Sequence, residues 1–118
     1  MTGWVRDRRG WFERRDGAVY GLARRLPARW DLRAETGLPD MGRRRLAHAV
    51  RQDMWRALRA VPGFAPVVEV ERVSGGVVLR AGGAVRGPVP DGLRDRLTGL
   101  LADPLHRAAW ARSARHRA

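Results

Sequence analysis

Lysine is absent from this chain of 118 residues, as are cysteine, isoleucine and asparagine, and tyrosine and glutamine occur once each. Without cysteine there is no disulfide, no thiolate zinc site and no cysteine nucleophile. Lys, Ile and Asn have AT-rich codons, so their joint absence points to a GC-rich, bacterial genome and says little about a special need for guanidinium. Long apolar runs are missing too: none approaches the ~18 residues of a membrane span. The opening MTGWVRDRRGWFERR lacks the apolar core of a signal peptide, and Asp7, Glu13 and Asp16 speak against an acid-poor transit peptide. We therefore expect a cytoplasmic protein. His48, His106 and His116 fall at no HxH or HxxxH spacing, so neither a metal nor another cofactor is expected.

What the chain does have is arginine. Twenty-four arginines face 12 acidic residues, for a formal charge of +12. A small domain so far from neutrality repels itself and usually answers to a polyanionic partner. The charge is uneven. Residues 1–33 carry nine arginines against four acids, residues 34–61 six against three, residues 62–90 three against two, and residues 91–118 six against three. The near-neutral stretch is also the richest in Val and Gly, and reads as sheet with basic elements around it. One domain over 1–118 is expected, with basic arms at 1–10 and 112–118.

Residues 11–15 and 18–22 flank Asp16-Gly17, a pair suited to the positive φ values of a type I′ hairpin turn. Residues 23–40, broken by Pro27, Gly37 and Pro39, read as irregular, with one helical turn over Arg24–Trp30. Asp40 is a natural cap for a helix from Met41 to Val61, stopped by Pro62-Gly63. Strands follow at 66–73, 77–81 and 84–89, separated by Ser-Gly-Gly and Gly82-Gly83, and suggest a three-strand meander. Asp91 would cap a helix over 92–102, and Asp103-Pro104 would start another at 104. The expected fold class is α+β: a small antiparallel sheet, made of the N-terminal hairpin and the meander, packed by the long helix and two short C-terminal ones.

On the long helix, Leu46, Ala47, Val50, Met54, Ala57, Leu58 and Val61 share an arc of about 120° at 100° per residue. Opposite them stand Arg44, Arg45, His48, Arg51, Gln52, Arg56 and Arg59, with Trp55 one turn from both Arg51 and Arg59. A ring among guanidiniums suits a nucleic-acid strand, the ring stacking on a base while arginines neutralise phosphates. Packing under a neighbouring segment, with arginine stems across the ring, explains the same residue. Asp53 is the only acid inside this helix and lies near its apolar edge. Arg6, Arg8 and Arg9 before Trp11, Arg14 and Arg15 before the turn, and Arg112, Arg115, His116 and Arg117 near Trp110, would extend a phosphate track.

Catalytic constellations are thin. Pro39-Asp40 followed by Glu69-Val70-Glu71 resembles the acids of PD-(D/E)xK nucleases, yet no lysine exists and Arg72 stands one position late. A helix cap and alternate strand positions account for the same acids. His48 has no acidic neighbour on its own helix face and reads as an exposed histidine. Ser74 and Ser113 lack the partners of a Ser–His–Asp site, and the glycines at 75, 76, 82, 83 and 87 are spaced for turns. The order helix–three strands–helix over 41–102 is similar to that of double-stranded-RNA-binding domains, but the second helix lacks their basic start. We expect a protein that is not an enzyme and binds nucleic acid, DNA ahead of RNA, through Arg44, His48, Arg51, Trp55, Arg59, Arg8, Arg9, Arg112, Arg115 and Arg117. The alternative is an assembly subunit of a nucleoprotein or phage-like complex, its exposed Trp and Arg meeting an acidic protein.

Overall fold

The computed structural model describes residues 3–116. Its order is β1 (Val5–Arg6), β2 (Phe12–Asp16), β3 (Val19–Ala23), β4 (Leu32–Leu38), α1 (Arg43–Leu58), β5 (Ala65–Val73), β6 (Gly76–Ala84), α2 (Leu93–Ala102) and α3 (Pro104–Ala114). The six strands form one antiparallel sheet in the order β1-β2-β3-β5-β6-β4. This is the α+β class read from the sequence.

The period of two decides which face is buried. Tyr20 and Leu22 of β3, Val68 and Val70 of β5, Leu79 and Ala81 of β6, and Leu32 and Leu38 of β4 share one apolar cluster with the helices. From α1 come Leu46, Ala47, Val50, Met54 and Leu58, as the helix wheel requires; Ala57 and Val61 are only half-buried at its edge. Leu93, Leu97 and Leu101 of α2 and Trp110 and Ala114 of α3 close the cluster. Trp110 is 1% exposed, and its indole N–H donates to Asp53 of α1 at 2.8 Å. That bond gives the one acid inside α1 its place near the apolar edge.

Several local expectations change. The hairpin forms, but Gly17-Ala18 are its loop residues and only Gly17 needs a positive φ, 59°, because Asp16 still pairs with Val19. Helix α1 is shorter at both ends than 41–61. Its cap position is Gly42, whose N–H donates to Ala114 at the end of α3 at 2.6 Å. Asp40 caps nothing and lies 3.3 Å from His116 and 3.9 Å from Arg72. Residues 32–38, expected to be irregular, form β4, and residues 24–30 contain no helical turn. Gly92, not Asp91, occupies the cap of α2, whereas Asp103 caps α3 as expected, accepting from the His106 N–H at 3.0 Å.

The largest change concerns the meander. Gly82-Gly83 do not turn; β6 runs straight through them to Ala84, and no strand follows at 84–89. A Cβ on Gly82 would overlap the Leu32 carbonyl, and one on Gly83 the Ala65 carbonyl, so glycine here lets three strands approach. The third strand beside β6 is β4, from before the helix. The likeness in topology to double-stranded-RNA-binding domains therefore does not hold.

Candidate nucleic-acid interface

Residues 5–11, within the basic N-terminal segment, form strand β1 and a turn. Val5 and Arg6 pair with Glu13 and Phe12, and the turn that follows is tightly built. The Asp7 carboxylate accepts from the Arg9 and Trp11 backbone N–H groups at 2.8 and 2.9 Å, Asp7 N–H donates to the Trp11 carbonyl at 2.7 Å, and Gly10 takes φ 82°. Those two N–H bonds hold the Asp7 carboxyl below the usual range, against the upward push of burial. Arg24 donates to the Gly10 carbonyl at 2.8 Å. The turn so fixed carries Arg8 and Arg9 exposed.

Across from the turn lies the polar face of α1. Trp11 joins the two, because the Arg51 guanidinium lies 4.7 Å from the Trp11 ring centroid and that of Arg24 lies 5.6 Å away. A groove of about 890 Å³ opens between turn and helix, lined by six arginines: Arg6, Arg8 and Arg9 from one side, Arg44, Arg45 and Arg51 from the other. His48, Ala49 and Gln52 complete the helix side, Asp7 lies among the arginines of the turn, and Ser113 brings α3 to the groove.

The acids of this region are already engaged. Glu13 accepts from the Tyr20 hydroxyl at 2.5 Å and from Arg44 Nε at 2.8 Å. Burial pushes its carboxyl up, but these two bonds outweigh it and the net shift is downward, so Glu13 stays ionised. The same contact, after burial, drives the Tyr20 phenol upward. His48 is half-buried rather than exposed, and Glu13 of β2 supplies the acidic neighbour that its own helix lacks, 3.9 Å from Nε2. Burial first, and then Arg51 and Arg44, hold its imidazole below the ordinary histidine value, so it is neutral near pH 7. Burial likewise lowers Arg51 without discharging it.

Of the residues singled out in the sequence, Arg8, Arg9, Arg44, His48 and Arg51 come together in the groove. Trp55 lies further along α1 and Arg59 just past its end, both outside the groove lining. Trp55 is 45% exposed, with one face offset-stacked on Phe64, ring centroids 6.4 Å apart. Arg112 and Arg115 are exposed around the end of α3, and Arg117 lies outside the described residues. Arg6, read with the basic N-terminal flank, and Arg45, read on the polar helix face, join the groove lining; missed in the sequence were Asp7, Glu13, Trp11 and Arg24 as the residues that hold the groove. An Asp four positions before Trp11, with Gly10 between, was the signal for the turn.

The arrangement gathers six guanidiniums on one open surface. Among the described residues no helix is long and apolar enough to cross a membrane, and no three His, Asp or Glu side chains cluster as a cation site needs. Compared with known protein families, curated proteins and solved structures, the chain matches none.

Proposed function

We propose that this protein binds nucleic acid, DNA ahead of RNA, chiefly through the phosphate backbone, as an accessory factor without chemistry of its own. One observation carries the reading. Two segments more than thirty residues apart bring six arginines to one groove, while the nearby carboxylates Asp7 and Glu13 are taken up by backbone N–H groups, Tyr20 and Arg44. The groove keeps a large positive surplus, and the chain's +12 charge would steer a polyanion toward it. Contacts of this kind position a ligand without reading sequence. Trp55, with one face open between Arg51 and Arg59, would stack on an unpaired base, and Arg59, Arg112 and Arg115 would lengthen the footprint.

The test is binding to duplex DNA, single-stranded DNA and duplex RNA, read by fluorescence anisotropy at several salt concentrations. We expect micromolar or tighter binding near physiological salt, a steep salt slope and duplex DNA ahead of duplex RNA. Weak binding that vanishes alike for all three would transfer the charge to an acidic protein partner.

A further inference from the structure

The second face of the sheet carries none of the three helices. Arg14, Glu69, Arg80 and Glu35 run across it, Arg80 lying 3.1 Å from Glu69, 2.9 Å from Glu71 and 3.5 Å from Glu35, and Arg14 3.6 Å from Glu69. Two clefts open there. One, of about 620 Å³, lies between Trp4 and Trp30, with Val67 and Glu69 of β5 at its base. The other, of about 420 Å³, gathers Arg25, Arg29 and Arg86. Both are lined by Leu26, Pro27 and Val67, which makes them two ends of one depression around the 24–31 loop.

The ends differ in chemistry. Trp4 sits over Gly21, where a Cβ would come within 3.0 Å of the ring, and the Arg14 guanidinium lies 4.9 Å from the ring centroid. Trp30 is braced by Arg33 at 5.8 Å. Both rings are half-buried, so they are held yet keep open surface. Glu69 is neutralised by Arg14 and Arg80 and does not repel an anion. At the other end Arg29 is paired with Asp31 at 2.7 Å, whereas Arg25 and Arg86 meet no carboxylate among the described residues. Fixed aromatic surface beside uncommitted guanidiniums matches a planar base joined to a phosphate.

We propose that this depression binds an unpaired nucleotide of a nucleic-acid strand, the base against Trp4 and Trp30 and the phosphate on Arg25 and Arg86. The proposal rests on nucleic acid being the partner and adds a single-strand site on the face opposite the helices. The protein then has two contact faces, the arginine groove with Trp55 beside it for duplex and any unpaired base at its edge, and the open sheet for a further unpaired nucleotide.

The test titrates the full chain, labelled with nitrogen-15, with a deoxythymidine oligomer of about 12 nucleotides, within the span of one small domain. The indole N–H signals of Trp4 and Trp30 should shift while that of buried Trp110 stays still. Trp30→Ala should weaken the oligomer about tenfold, the size of one base–aromatic stack, and leave duplex DNA unaffected. Trp30→Phe, which keeps a stacking surface, should restore most of the loss. Silent Trp4 and Trp30 signals with duplex binding intact would overturn the single-strand site and leave the groove standing. Absence of both duplex and strand binding would remove both. Saturation of the same signals by micromolar thymidine monophosphate would overturn a strand as the source of the nucleotide.

Discussion

Replacing Arg9 and Arg45 together by alanine removes two groove cations that are exposed and have no side-chain partner among the described residues, so the fold should not notice. If each of the six groove arginines neutralises one phosphate of B-DNA, the logarithm of affinity falls with the logarithm of salt at a slope of about −5.4. Raising salt from about 50 to 200 mM then costs roughly 10³-fold in affinity. With four arginines left the slope becomes about −3.6, and the same salt interval costs roughly 10²-fold. The matched control is Arg25→Ala with Arg86→Ala, two exposed arginines on the sheet face away from the helices. It removes the same charge from positions outside the groove lining, so its slope should stay nearer the wild type. Fluorescence anisotropy with one duplex at five or so salt concentrations reads both slopes, with melting curves to confirm folding. Equal flattening by the two double variants would refute a localised groove, because charge would then act from the whole surface.

Three other outcomes follow from the same contacts. Asp53→Ala leaves the buried Trp110 indole N–H without an acceptor, which costs about 1–3 kcal/mol. A calorimetric melt should fall by roughly 5–10 °C, and Asp53→Asn, which keeps an oxygen, should lose less. Gly82→Ala forces a methyl group onto the Leu32 carbonyl; we expect a loss of about 2–3 kcal/mol in urea unfolding, and a neutral result would contradict the β4–β6 pairing. His48 has a folded value below its unfolded one, set by burial and by Arg51 and Arg44, with Glu13 and Asp7 opposing. The unfolded chain therefore binds the proton more readily, and stability falls as pH drops below about 6.5 toward the folded value. His48→Gln should abolish that loss between pH 7 and 5, before the carboxylates titrate.

Much of the fold could be read wherever one local signal decided it. The apolar arc of α1 predicted its buried face, and Asp103-Pro104 marked the start of α3. Strand β4 escaped because an edge strand flanked by Pro27 and Pro39 carries few β-branched residues, although Leu32, Ala34, Thr36 and Leu38 alternate correctly. Gly82-Gly83 misled for a physical reason. Consecutive glycines serve a turn or a close approach of backbones equally well, and only the neighbouring strands decide between them. The basic face of α1 was legible from its spacing. Its conversion into a groove was not, because that depends on the Asp7 turn and the Trp11–Arg51 stack bringing Arg6, Arg8 and Arg9 across from the helix. The open sheet face was hidden for the same reason, since Trp4 and Trp30 come to line one cleft only once β4 has taken its place.

The most direct measurement is a backbone amide map of the full chain during titration with a short DNA duplex. The account predicts that the largest shifts fall on the Asp7–Gly10 turn and on Arg44–Gln52 of α1, with α2 and the strand pair β4–β6 quiet. Shifts centred on α2 or that strand pair, or none up to hundreds of micromolar duplex, would contradict it.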